Sequence, residues 1–480
     1  MKFYGDKLHV VNAGNSNRQA AYRKQSFWLD TVPGSLEPRA SLNCDTRADV
    51  VIIGAGYTGL WTAWYLKKHA PDLDIAIVEA EIAGFGASGR NGGWCSAYIS
   101  GLEQQMGKPE TRKQAIALQR LMFDTVTEVG RISAAESIDC HFAQEGHVAA
   151  AVLSAQLARD RTHVQFMHDK GFADDFQWLN SREIRERVNI DGALGGFYMP
   201  HCAAIHPARL ARGLAAALTR RGIRIFEKSA ATVFDNNSVT TATGRVRAET
   251  VILAAEGYSG SLPGLARKLV PFHSAMLATE PLNDAEIEAT GLTRRFTWNN
   301  GKHMVTYGQL TADRRIAFGH RGRYLYNGGI QRNFDLTDPD FKIIGQELFR
   351  FFPSLRGKRF THAWGGPMGV SRSLTPAVCF NPESRLGWAG GYFGDGVGAT
   401  NLAGRTMADL VLGRDTERSC ALWVNPEREK ALDARLWEPE PIRWLGVQAR
   451  AKWMGWTDAA EQKGNRSAGA MNWVLENLFP

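Results

Sequence analysis

Apolar residues in this chain fall into short unbroken blocks that alternate with helical spacing and with every-other-residue patterns. Residues 48–53, ADVVII, form one such block and read as a buried strand. Helical spacing follows over about 58–69. DIAIVEA at 74–80, set off by a Pro-Asp break, then reads as a second strand and completes a β-α-β unit. A long helical region covers about 108–136, and HFAQEGHVAAAVL at 141–153 has the pattern of two short strands. A second block opens at IHPARLARGLAAALTRRGIRIFEK, where Pro207 suits a first helical turn, Gly222 ends the helix and a strand follows. A hairpin turning at Gly244 leads to a buried strand at 251–255. From about 261 to 364 strands and turns alternate, and at 386–413 the pattern returns to strand, glycine loop and helix.

These segments predict an α/β fold of two domains (α+β). A nucleotide-binding domain is assembled from the discontinuous pieces 48–140, 201–260 and 365–413; an antiparallel-sheet domain is built from 141–200 and 261–364. Residues 1–47 read as an irregular leader. Residues 414–480 form an extension marked by Trp423, Trp437, Trp444, Trp453, Trp456 and Trp473. Basic and aromatic residues mix there as in an interfacial helix, but the preferred reading is a cover over the domain or a subunit interface.

A length of 480 residues suits two or three units sharing a core, and 44% hydrophobic with 22% charged residues is an ordinary globular balance. No run approaches the ~18 apolar residues that span a bilayer, and the polar start lacks a secretory pattern. The expected location is the cytoplasm. Cys44, Cys95, Cys140, Cys202, Cys379 and Cys420 are scattered without a C-x-x-C pair, which argues for reduced thiols and against a zinc site; no metal is expected. The net charge of +8 comes without a long Lys/Arg block, so a solvated face is a better reading than a nucleic-acid footprint. An anionic cofactor and an anionic or partly anionic substrate would also suit it.

The stretch IIGAGYTGLW gives the first chemistry. Gly54, Gly56 and Gly59 sit between a strand and a helix, where they permit a tight turn, close backbone approach to phosphates and close helix packing. Tyr57 and Thr58 open the helix, whose N-terminal N–H groups and dipole suit a pyrophosphate. Glu79, followed by Ala80, ends the second strand, where its carboxylate can accept from ribose hydroxyls and would repel a 2′-phosphate. This is a Rossmann-like dinucleotide site that disfavours NADPH.

Which dinucleotide it holds turns on AGFGASGRNGGWCSA at 83–97. This loop resembles that of the D-amino-acid oxidase family of FAD enzymes, and FGASGRNGG is closest in wording to γ-glutamylputrescine oxidase-like members. SFWLDT, IHPARLARGLA, TVILAAEGYSG, LATEPL, HAWGGPMG and GGYFGDGVGATNLAGR extend the resemblance over most of the chain. The residues are chemically apt. Gly86, Ala87, Gly92 and Gly93 can press backbone N–H groups on a flat ring, Ser88 and Arg90 can reach phosphate, and Asn91 offers a donor and an acceptor for a ring edge. The resemblance adds Ala255 and Gly257 to the FAD site, and a backbone contact from Val233 to adenine. It also implies that the helix opening at Gly394, Asp395, Gly396, Val397 and Gly398 points at the pyrimidine end of the flavin. With no histidine in the 83–97 loop, non-covalent FAD is expected; Cys95 leaves a small opening for attachment.

The chemistry implied by the family is oxidation of a C–N bond to an imine, with O2 or another acceptor taking the electrons. Amino-acid-oxidising relatives carry an arginine four residues after the tryptophan of a W-x-G-x-R stretch. Here that stretch is WGGPM, with Trp364 and Met368, and methionine cannot pair with a carboxylate. A small-molecule amine such as a polyamine derivative, its anionic group, if any, lying further from the reacting carbon, is therefore favoured over an α-amino acid or N-methyl amino acid. A tRNA-modifying flavoprotein, an aromatic hydroxylase and a flavin-bound protein without turnover remain lesser alternatives. Candidates for the substrate side are His303, Tyr307, His320, Arg321 and Tyr324, with Arg372 a weak substitute for the missing arginine. The sequence leaves monomer and homo-oligomer open.

Overall fold

The computed structural model describes residues 15–424, 435–465 and 467–478. Two large sheets organise them. The first runs in the order Ala377–Asn381, Leu386–Gly390, Arg245–Leu253, Thr46–Ile53, Ile75–Val78, Arg224–Phe226, and Ser238–Thr240 and Val233–Phe234 branch from Arg245–Leu253. Its centre is parallel: Thr46–Ile53 pairs in parallel with both Arg245–Leu253 and Ile75–Val78. Such strands are covered on both faces, which explains the unbroken apolar run ending Val50–Ile53, all four of them buried. Full burial of each such side chain contributes roughly 1.5–3 kcal/mol.

One face of this sheet carries the helices Tyr57–His69, Arg112–Ala135, Pro207–Arg220 and Gly396–Val411, which share a single apolar cluster. Gly404 lets the last of them press on the first, since a Cβ there would lie 2.7 Å from that of Trp61.

The second sheet runs Phe360–Trp364, Leu269–Thr279, Ile316–Tyr324, Thr306–Leu310, Thr297–Asn300, His147–Ala151, Gly195–Met199, Gln177–Asn180. It is antiparallel except where His147–Ala151 meets Thr297–Asn300. Pro367–Ser371 also pairs with Leu269–Thr279, so the start of the 365–413 piece belongs to this sheet rather than to the first. The region 141–153 holds one strand, His147–Ala151, and only a single bridge from Ala143 to Ala204 in place of a second. The strand-rich stretch 261–364 also contains the helices Asp284–Thr290 and Pro339–Phe351, and the second buries Phe341, Ile344, Leu348 and Phe351 at helical spacing.

The leader is not irregular where it is described. Asn15–Arg23 and Phe27–Thr31 are helical, and Phe27, Trp28 and Leu29 are buried. Ser26 caps the second helix: its Oγ accepts from Leu29 N at 3.0 Å and donates to Gly89 O at 2.9 Å. Trp28 Nε1 donates to Asn91 O at 2.8 Å. A segment remote in sequence thus staples the glycine loop. Ser26→Ala is expected to cost about 1–2 kcal/mol, read as a lower urea midpoint at unchanged slope; an unchanged midpoint would refute the stapling role.

Candidate active site

The carboxyl ends of Thr46–Ile53, Ile75–Val78 and Arg245–Leu253 open onto a cavity of about 1350 Å³ that reaches the second sheet and the helix Ile442–Gln462. Ligands collect at such strand ends in parallel sheets. Gly54 takes φ +108°, and a Cβ there would lie 2.6 Å from Ala254 O. Gly56 caps the helix Tyr57–His69 at the cavity edge. Gly59 does not line the cavity; a Cβ there would sit 2.1 Å from Gly54 O, so its job is to let helix and strand touch. Ser88 Oγ accepts from Tyr57 N at 2.9 Å, and Thr58 Oγ1 and the Tyr392 hydroxyl share a hydrogen bond of 3.2 Å.

Glu79 lines one end of the cavity beside Ala80. Its carboxylate accepts from Ala55 N at 2.7 Å and Glu81 N at 2.9 Å. Burial nevertheless pushes its pKa up to about 7, against the pull of those two bonds, and Glu227 and Glu81 add to the rise. Glu81, visible two residues on but not singled out, holds Tyr22 and Lys228 at 3.0 and 2.7 Å. Val233 lies exposed on a branch strand and does not reach the cavity; Ala230 and Ala231 line it instead. A backbone position two or three residues off leaves no mark in the residue types.

The loop lines the middle with Gly86, Ala87, Ser88, Arg90, Asn91 and Gly92. Asn91 is spent internally: Nδ2 donates to Ala87 O and Ser88 O, and Oδ1 accepts from Gly93 N at 2.7 Å. Arg90 is fully buried, bonded to the Tyr258 hydroxyl and 4.7 Å from the Phe85 ring centroid, while its Nη1 has no partner in the structure. Gly93 lies outside the lining at φ +78°, its carbonyl held by Gln309 Nε2 at 2.9 Å. Trp364 also lies outside it, fully buried, with Nε1 donating to Arg90 O at 3.1 Å; it supports the loop rather than meeting a ligand. Cys95 is buried and off the lining, and burial keeps its thiol protonated.

Across the cavity stand Ala255, Gly257, Gly394, Asp395, Gly396 and Val397, the last three at the N-terminus of Gly396–Val411. No side chain caps this terminus. Gly398 is off the lining, and a Cβ there would lie 2.4 Å from Ser96 O. Met368, Tyr307, His320, His303 and Tyr324 line the second-sheet side. Tyr324 donates to Glu440 Oε1 at 2.6 Å, and the His303 ring meets Glu461 at 3.4 Å, so both rings are tied to the C-terminal segment. The Arg321 side chain is outside the described residues; Arg372 pairs with Glu438 at 3.0 Å, away from the lining.

The helix Ile442–Gln462 closes this side through Val447, Ala451, Met454 and Asp458. His303, Asp458 and Glu461 bring ligand-type atoms within 4.8 Å, but Arg159 pairs with Glu461 and Asp458 accepts from the His303 and Met304 N–H groups. Among the described residues no helix is long and apolar enough to cross a membrane.

A carboxylate at one end, two helix N-termini, a bare glycine backbone and an unpartnered guanidinium nitrogen complement a ribose, a pyrophosphate and a flat ring. A family model described as "FAD dependent oxidoreductase" (DAO) matches residues 49–410. Gamma-glutamylputrescine oxidoreductase of Escherichia coli (strain K12) is 30% identical over 392 residues, 79% of this chain and 87% of that protein. Glycine oxidase from Geobacillus kaustophilus shares the fold with a TM-score of 0.64 at 20% identity, over 77% of this chain and 96% of that one. L-proline dehydrogenase from P. horikoshii does so with a TM-score of 0.64 at 18% identity, over 81% and 99%. The chain is therefore a flavoprotein enzyme, and it belongs to the DAO family of FAD-dependent oxidoreductases.

Proposed function

We propose that the protein oxidises the CH–NH unit of a small amine, such as a polyamine derivative, to an imine that water hydrolyses to an aldehyde. The observation that carries this reading is Met368, which faces the cavity at the position that resemblance gives to a carboxylate-binding arginine. A thioether offers an apolar wall to a methylene chain and no partner for an α-carboxylate. The likeness to gamma-glutamylputrescine oxidoreductase, a protein named for a derivatised diamine, supports the same substrate class.

FAD, when bound, would supply the two-electron acceptor for this bond, with O2 as the final acceptor giving H2O2. We assign Glu79 to the ribose hydroxyls, the N–H groups after Gly56 to the pyrophosphate, and the backbone of Gly86–Gly92 and Gly394–Val397 to the ring. Ser88 keeps the first helix N-terminus in place through its bond to Tyr57 N. Substrate lies against Met368, Tyr307 and His320. The amine reacts as the neutral form, and His320 is the imidazole we assign to take its proton. Tyr324 and His303, committed to Glu440 and Glu461, hold the helix Ile442–Gln462 over the cavity and keep water out.

Anaerobic mixing with a panel of amines tests the proposal. Polyamine derivatives are expected to bleach the flavin, and admitted air to release peroxide. Sarcosine, glycine and D-amino acids are expected to leave it yellow. Bleaching by the amino acids alone would overturn the amine reading; NADPH consumption coupled to oxygen would favour a hydroxylase.

A further inference from the structure

We infer that the cavity wall built by the helices Leu102–Gly107 and Ser154–Asp169 is a subsite for a second, non-reacting ammonium group of the substrate, with Asp160 as its counter-ion. The inference deepens the amine reading above and rests on it. It makes the preferred substrate a dication: a straight-chain diamine or polyamine with one nitrogen at the flavin and another at this wall.

Asp160 lines the cavity and is only 9% exposed, and its Oδ2 has no hydrogen-bond partner in the structure. A buried carboxylate without a partner is costly and is rarely kept unless something completes it. The nearby cations are already committed. His163, one turn along, meets Glu103 at 3.2 Å. Arg159 is bound by Glu461 and by Gly301 O at 2.7 Å. Lys302 pairs with Glu347. Asp160 Oδ2 is thus left without a hydrogen-bonded counter-ion on a wall that also presents the rings of Tyr98 and Phe197, surfaces that attract cations. Burial pushes the acid up to about 6, with partial relief from His163 and Arg159; an arriving ammonium would restore the ionised form.

The chemistry also decides which nitrogen belongs here. An amine gives up its hydride only when neutral, and a carboxylate with free lone pairs would hold it protonated. Asp160 therefore suits the nitrogen that does not react.

The test compares straight-chain α,ω-diamines with monoamines of the same chain length, using FAD-loaded wild type and Asp160→Asn. Wild type is expected to show a KM at least about ten-fold lower for the diamines. Asp160→Asn is expected to raise the diamine KM about ten- to hundred-fold, with kcat and all monoamine constants within about two-fold. No discrimination in wild type overturns the inference without recourse to a variant. Equal loss for both amines, or no loss, also overturns it. Calorimetric binding separates the two readings if no amine is oxidised. Diamine binding that Asp160→Asn abolishes would uphold the subsite while the oxidase reading falls; binding that is absent, or equal in both proteins, would sink the subsite itself.

Discussion

Gly59→Ala is expected to give a protein that purifies without FAD and unfolds at a clearly lower urea concentration. The new Cβ would lie 2.1 Å from Gly54 O and 3.2 Å from Ile52 Cγ2. The first of these is backbone, which cannot rotate away as a side-chain tip can. The helix Tyr57–His69 must therefore retreat from the strand Thr46–Ile53, and its N-terminus moves away from the cavity it opens onto. Overpacking of this kind costs typically about 1–3 kcal/mol and sometimes more. Gly107→Ala is the control, because nothing lies within 4 Å of a Cβ at that exposed helix end, and its effect should stay within about 0.5 kcal/mol. Flavin absorbance after gel filtration and the urea midpoint read the two outcomes. A yellow Gly59→Ala protein with a wild-type midpoint would show that the close approach is dispensable.

The second large effect is at Glu79. Glu79→Gln is expected to weaken FAD binding about ten- to hundred-fold at pH 8. The amide nitrogen cannot accept from Ala55 N or Glu81 N, and a neutral side chain holds ribose hydroxyls less strongly. The pH dependence carries a further signature. In the unliganded protein the carboxyl keeps its proton up to about 7, whereas the unfolded chain loses it near 4.5. The folded state therefore binds more protons in that window, and this group's contribution to stability falls as pH rises from 4.5 to 7. Hydroxyl donors on the ligand favour the carboxylate and reverse the sign for binding. FAD affinity in wild type should rise with pH up to about 7 and then level off, and Glu79→Gln should flatten the curve. Identical pH profiles for the two proteins would remove Glu79 from the adenosine end.

How much of this was legible before the fold was known follows from the range of each interaction. The β-α-β unit, the glycine turn and the acidic residue at the second strand end are local: steric limits on neighbouring residues dictate them, and those limits show as residue types at fixed spacings. Burial on both faces of the parallel strands likewise appears as unbroken apolar runs. Asn91 was legible as a loop residue, but not that its amide is consumed by Ala87, Ser88 and Gly93.

What tertiary structure alone decided lies at long sequence separation. Ser26 and Trp28 reach the loop across 63 residues, and Gln309 reaches Gly92 across 217. Trp364 became a loop support because strand pairing turned it inward, while Met368, on a strand paired elsewhere along Leu269–Thr279, faces the cavity. The helix Ile442–Gln462 of the tryptophan-marked extension came to line the cavity through Val447, Ala451, Met454 and Asp458. Asp160 came to line the cavity, its Oδ2 without a hydrogen-bond partner, only through the packing of the helix Ser154–Asp169. Patterns of residue type encode which backbone shapes are allowed nearby; which distant groups then meet is set by packing, and no spacing in the chain records it.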